Sequence, residues 1–173
     1  DIQSFIDFAT LCNSTVPDGS GATEAQHLLD LVMDRRKPHL TWAQDILSLY
    51  RSGLLYSNGV YKIITDRGDL PLRQVFHSGN MVPGATEIRI GGDPLRPNQA
   101  SVRYANRDMD YEQDVIYMQD SASVLGASDP IKDFEIALVG VTRQSEAQRE
   151  GAWQLSRRRD IRREVSWSTG LEA

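Results

Sequence analysis

LLYSNGVYKII, residues 54–64, carries the clearest local structural signal in the chain. Two runs rich in β-branched, aromatic and aliphatic residues, 54–57 and 60–64, are separated by only two residues, Asn58 and Gly59. Asn-Gly tolerates positive φ at both central turn positions, and the twist of such a turn matches that of two paired strands. The prediction is an antiparallel hairpin with Asn58 and Gly59 as its structural turn residues.

Toward the N-terminus, Pro38 suits the first turn of a helix, and Leu40, Ala43, Ile46, Leu47 and Tyr50 follow at helical spacing, which predicts a helix ending near Gly53. Residues 28–34 are apolar over too short a run for periodicity to separate strand from helix, and the reading taken is a strand. Ile2, Phe5, Ile6, Ala9 and Cys12 recur every three or four residues and give a short helix one apolar face, stopped by Asn13 and the Pro17-Asp18-Gly19 turn.

Toward the C-terminus the chain is irregular after Asp66, with a single helical turn expected over 72–76. Strands are expected where Ile88 and Ile90 alternate with Glu87 and Arg89, and where Ala100, Val102 and Tyr104 alternate with Gln99, Ser101 and Arg103, each with one face on a core. Residues 111–118 form a third candidate strand. Phe134, Ile136 and Leu138 mark a fourth, expected to be central because Ala137 and Val139 make its second face apolar too.

A helix is predicted over 143–159, with Thr142 as N-cap, Glu146 near its positive end and Arg157, Arg158 and Arg159 near its negative end. Ala147, Gly151 and Leu155 share one of its faces, where small residues permit close packing. Trp153 lies off that face and is, with the three arginines, the candidate subunit contact. Ile161, Val165 and Trp167 then alternate with charged and polar residues, as in a strand returning to the sheet.

Composition bounds the function. The 173 residues are 40% hydrophobic and 25% charged, ordinary values for a folded domain. A net charge of -5 argues against a general binder of phosphate backbones, whose affinity comes from many uncompensated Lys and Arg. The longest apolar runs, 28–33 and 136–141, fall far short of the roughly 20 residues that a membrane-spanning helix needs. Cys12 is the only cysteine, so no internal disulfide forms. The chain starts Asp1-Ile2-Gln3, without initiator Met or signal segment, and is expected to be a piece of a longer polypeptide.

No catalytic, cofactor or metal site is expected. His27, His39 and His77 lack the spacing of a zinc site. The acids Asp108, Asp110, Glu112 and Asp114 lack the turn glycine of a calcium loop and read as a solvated edge, with Tyr111 and Val115 as strand residues. Ser123, Ser128 and Ser145 lack a nucleophile-elbow pattern, and Gly91-Gly92-Asp93 has no following phosphate-binding lysine. Arg67-Gly68-Asp69 is explained as a turn. The basic run Arg157, Arg158, Arg159, Arg162 and Arg163 is interrupted by Asp160 and Glu164, and reads as helix-end or inter-subunit charge.

Four stretches carry a resemblance: FATLCNSTVPDG (8–19), residues 42–66 with their LLYSNGVYKIITD, PNQASVRYANRDMDYEQDVIYMQD (97–120) and residues 139–171. Within the last, Gly140-Val141-Thr142-Arg143, Ala147-Gln148-Arg149 and Thr169-Gly170-Leu171 are the most specific. The chain resembles the tip attachment, or host specificity, protein J family of lambda-like phage tails and related phage tail proteins. Residues 27–39 fit that pattern only loosely.

The resemblance implies a structural, non-enzymatic segment of a tail-tip hub, trimeric in the full-length assembly. Its implied partners are other tail-tip and tail-tube proteins, with nucleic acid met only as transiting phage DNA. The implied location is the virion of a phage or prophage, after assembly in the bacterial cytoplasm. The rival readings are a cell-wall-degrading tail enzyme domain and a nucleic-acid-binding module. The expected fold is α+β: a mainly antiparallel sheet packed by two or three helices, one structural domain over 1–173 with a subdivision near 66–85.

Overall fold

The computed structural model describes residues 1–68, 74–77, 79–90, 97–120, 130–161 and 163–169. Of the features expected from sequence, residues 72 and 73 of the single turn lie outside these. So do Asp69, Gly91-Gly92-Asp93, Ser123, Ser128, Arg162 and Gly170-Leu171. Residues 74–77 are not helical.

The core gathers on one strand. Ala100, Val102 and Tyr104 point to the same side of β6 (Gln99–Asn106) and are buried. β6 pairs antiparallel with β7 (Glu112–Gln119) and parallel with β8 (Asp133–Ala137), giving the order β7-β6-β8. The C-terminal helix α3 (Gln144–Asp160) lies over that face, and Leu138, Val141, Ala147 and Leu155 complete the buried cluster.

Three smaller two-stranded sheets surround this unit. β1 (Thr15–Pro17) pairs with β2 (Thr23–Ala25) after the first helix, α1 (Ile2–Cys12). β3 (Ser52–Ser57) and β4 (Val60–Thr65) form the predicted hairpin, with Ser57 opposite Val60 and with φ of 52° at Asn58 and 78° at Gly59. β5 (Glu87–Ile90) pairs antiparallel with β9 (Arg163–Ser166). The class is α+β and mostly antiparallel, as the sequence implies, with β6–β8 the one parallel pair among the described strands.

Several expectations need correction. β8 is an edge strand, not the central one: Phe134 and Ile136 face the core, while Ala137 and Val139 are exposed. The central strand is β6, whose second face buries the polar Gln99 and Ser101 under hydrogen bonds to Asp133 and Gln119. Residues 28–34 form no strand. Helix α2 (His39–Leu49) stops before Gly53, where Arg51 takes a left-handed φ of 56°; α2 packs mainly on β3, and its Leu49 reaches the buried cluster of the three-stranded sheet. Tyr111 belongs to a turn, with φ of 62°, and not to β7. The β5–β9 ribbon stays apart from the main sheet, and Ile88, Ile90 and Val165 are exposed. Among the described residues no helix is long and apolar enough to cross a membrane.

Candidate functional site

The N-terminal half is fastened to α3 by a buried network of charges. Glu24, on β2, accepts hydrogen bonds from Ser145 Oγ, from Arg149 Nη1 at 2.6 Å and from Arg143 Nη1. Arg143 is buried to 4% exposure and also donates to Glu146 Oε2 at 2.7 Å and to the Ala25 carbonyl. Glu146 in turn accepts from the Leu28 amide at 3.2 Å and lies 3.6 Å from His27 Nδ1. A guanidinium presents five donors in a fixed fork, which suits several carboxylate and carbonyl acceptors at once.

These bonds explain the extended path of residues 26–31, which has no strand partner. Its polar backbone groups find other acceptors and donors, as buried main-chain groups must. The Leu28 carbonyl accepts from Tyr50 Oη at 3.0 Å, and the Asp30 amide donates to the Gly140 carbonyl at 2.9 Å. Thr142, the expected N-cap, gives its hydroxyl to Asp30 instead, and Arg143 occupies the N-cap position with no side-chain cap.

Protonation follows from these surroundings. Burial pushes the Glu24 carboxyl up, but hydrogen bonds from Ser145 and Arg149 and the charges of Arg143 and Arg149 outweigh it and hold the group below the usual carboxylate range. Glu150 goes the other way: burial raises it, although Arg51 donates to it at 3.0 Å. Burial likewise raises the Cys12 thiol and the Tyr50 phenol. Removing one partner from a buried ion pair leaves an uncompensated charge, so the network binds the two halves even where its net contribution over apolar packing is small.

The predicted positions are distributed as follows. Asn58 and Gly59 form the hairpin turn. Ala147, Gly151 and Leu155 are buried in α3, facing β6. Trp153 is half-buried beside a cavity of about 290 Å3, with the Arg51 guanidinium 4.6 Å and the Arg157 guanidinium 5.3 Å from its ring centre. Arg157, Arg158 and Arg159 are exposed; Arg158 stacks on Phe134 at 4.3 Å, and Arg159 pairs with Asp160 and Asp120.

His27 is buried against Tyr50, while His39 and His77 are exposed. Among the described residues no three His, Cys, Asp or Glu side chains gather as metal ligands would.

Sequence reasoning missed the network, because the bonds that tie residues 24–28 to α3 and its N-cap span 118 to 125 residues. One signal was present. Glu146 and Glu150 directly precede Ala147 and Gly151, the small residues that bring α3 close to the sheet, so both acids are drawn inside with them.

Three surfaces leave apolar groups in water. On the β5–β9 ribbon, Ile88 stands opposite Val165 and Ile90 opposite Arg163 on the face that Trp167, packed on Phe76, extends, while Glu87, Arg89 and Glu164 occupy the other. Ile2, Phe5 and Ile6 of α1 line an open groove of about 590 Å3 with Val60 and Tyr61 of the hairpin. Leu31, Val32, Trp42, Ile46 and Val139 line a third cavity, of about 630 Å3, beside α2. A two-stranded ribbon is at best marginally stable by itself in water, and exposed apolar patches of this kind mark contact surfaces.

Comparison with known proteins points to phage tails. The family model described as "Putative phage tail protein" matches residues 41–173. Two relatives bear the name tip attachment protein J. One, from Escherichia phage SECphi27, is 28% identical over 173 residues, and the other, from Escherichia phage SECphi4, is 24% identical over 164 residues. The alignments cover 99% and 95% of this chain but 14% of each relative, so the chain spans about one-seventh of the length of these curated relatives. With the family model covering well over half of its residues, the chain belongs to the phage tail protein family.

Proposed function

We propose that this chain is a structural domain of a phage or prophage tail-tip hub, joining the tail tube to the receptor-binding region and forming part of the wall through which DNA leaves. The observation that carries this reading is the match along nearly the whole chain to proteins named for tip attachment. The open apolar faces support it, since they need covering by neighbours in an assembly.

In this reading the domain works by shape and packing, as one unit of a longer polypeptide present in three copies. Trp153, Arg157, Arg158 and Arg159 contribute to contacts between those copies. Its partners are other tail-tip and tail-tube proteins, and its place is the virion, reached by assembly in the bacterial cytoplasm. It carries no reaction, and DNA only passes.

The test is an in-frame deletion of these residues from the full-length gene, followed by electron microscopy of the tails. The expected result is tails without a closed tip, with normal tip density restored by the wild-type gene. Normal tips in the deletion would overturn the reading, as would peptidoglycan turnover by the purified protein that disappears on changing one acid.

A further inference from the structure

The unit built from β6, β7, β8 and α3 has two poles of opposite charge. At one, β6 passes through a 3₁₀ turn (Arg107–Met109) into β7, and Arg107 donates its amide to the Thr142 carbonyl beside the start of α3. This turn carries Asp108, Asp110 and Glu112, all exposed, and among the described residues Asp110 and Glu112 have no basic partner. At the other pole, α3 ends in Arg157, Arg158 and Arg159, and Arg159 reaches Asp120 just past β7. Arg157 and Arg158 have no carboxylate partner among the described residues. The helix between the poles has 17 residues, so they stand about 25 Å apart.

The acidic turn is held rigidly in a costly shape. Asp110 and Tyr111 are consecutive non-glycine residues with φ of 54° and 62°, a conformation that L-residues rarely adopt. Buried groups keep it there. Asn106 accepts from the Asp108 amide and donates to Asp114, Tyr104 also donates to Asp114, and the Tyr111 amide donates back to the Asn106 carbonyl. The result holds Tyr111 and Met109 out in water, at 65% and 52% exposure.

At the basic pole the Arg158 guanidinium lies over the Phe134 ring at 4.3 Å, and the Arg157 guanidinium over Trp153 at 5.3 Å. The helix dipole accounts for arginines in the last turn of α3. It does not account for a strained turn that offers an aromatic ring among acids at the opposite end.

We infer that the Asp110–Glu112 turn of one copy docks on the Arg157–Arg158 end of α3 in the next, a head-to-tail contact between copies of this chain. Charge complementarity selects a second copy as the occupant: Asp110 and Glu112, beside an exposed aromatic and a methionine and next to an Asp108 already paired with Arg107, match two arginines that rest on aromatic rings. A head-to-tail contact closes into a ring when its rotation allows. Fixing the turn beforehand lowers the ordering cost of association. The inference rests on the proposed hub reading and names the surfaces by which its copies meet.

The test uses the full-length tail protein in two charge reversals, Asp110→Lys with Glu112→Lys, and Arg157→Glu with Arg158→Glu. Mass photometry at fixed concentration reads the multi-copy fraction. Each reversal alone should weaken association at least about tenfold, and both together in one chain should restore it to within about threefold. Restoration also excludes simple misfolding of either variant.

If copies still assemble and neither reversal matters, or if the combination restores nothing, the head-to-tail contact is wrong while the hub reading stands. If the reversals instead abolish binding to a different tail protein and leave the copy number unchanged, the second-copy assignment falls. If the wild-type protein is absent from purified tails, the hub reading itself fails and takes this inference with it.

Discussion

Gly151 lies so close to Val102 that a Cβ built on the glycine would sit 2.6 Å from Val102 Cγ2 and 3.1 Å from Met118 Cγ. α3 rests on the three-stranded sheet with no room for a methyl group at this point. Because Val102 is fully buried, it has nowhere to retreat.

Gly151→Ala is therefore expected to destabilise by about 1–3 kcal/mol through overpacking. Val102→Ala alone leaves a cavity and costs about 2 kcal/mol. The double variant should lose less than the sum, because the new methyl fills the space that Cγ2 leaves. Urea melts of the four proteins check this, and strict additivity would disprove the close contact.

Glu24 predicts an acid limit. Its folded-state pKa lies below the unfolded value near 4.3, so the stability it contributes is present above about pH 4.3 and lost as pH falls through the folded value. Glu24→Gln should cost about 3 kcal/mol at pH 7 by removing the carboxylate that Arg143 and Arg149 share and leaving Arg143 with Glu146 alone, and should flatten the stability curve below about pH 4.3. Glu150 has the opposite sign. Its raised carboxyl favours the folded state at low pH and ceases to do so as pH rises through its folded value, so Glu150→Gln should cost less than Glu24→Gln at pH 7. Melting curves from pH 3 to pH 8 measure both.

At the other end of the pH scale, burial and the hydrogen bond to Asp114 push the Tyr104 phenol up to about 12. Tyrosine ionises near 10 when unfolded, so this contribution is complete below about pH 10 and disappears as pH rises through about 12. Absorbance at 295 nm should show a late tyrosinate step that Tyr104→Phe removes. A titration unchanged by that substitution would contradict the buried phenol.

Trp153→Ala should lower stability by about 2–3 kcal/mol, since the half-buried ring supports Arg51 and Arg157. Within the full-length protein it should also reduce the yield of complete tails. Chemical denaturation and tail counts by electron microscopy measure the two effects separately, and normal tail yield would remove Trp153 from the contact surface.

What the sequence reveals about this chain depends on the range of each interaction. The hairpin at Asn58-Gly59 is legible because its cause is local, two adjacent residues that accept positive φ. The buried face of β6 is legible from alternation at Ala100, Val102 and Tyr104. The placing of β8 at the edge is not, because apolar Ala137 and Val139 imitate a second buried face while standing in water. Residues 28–34 mislead for a related reason: their apolar side chains suit a strand, but their amides and carbonyls go to Glu146, Gly140 and Tyr50. The charge network has little local sign: the i,i+3 pair Arg143–Glu146 and the acids beside the two small residues of α3 are adjacent in sequence, but the bonds to Glu24 and Leu28 are not.

The bonds from Glu24 to Ser145 and Arg149 also set a timetable for biogenesis. A ribosome must add more than a hundred residues after Glu24 before its acceptors have donors, on the order of ten seconds at ordinary elongation rates. Until then the Glu24 carboxylate has no guanidinium to pair with, and the extended segment after it is held only by its bonds to Cys12, Ser14 and Tyr50. Truncated products ending before Arg143 are therefore expected to be protease-sensitive throughout residues 24–31, and protection there should appear only once α3 has emerged.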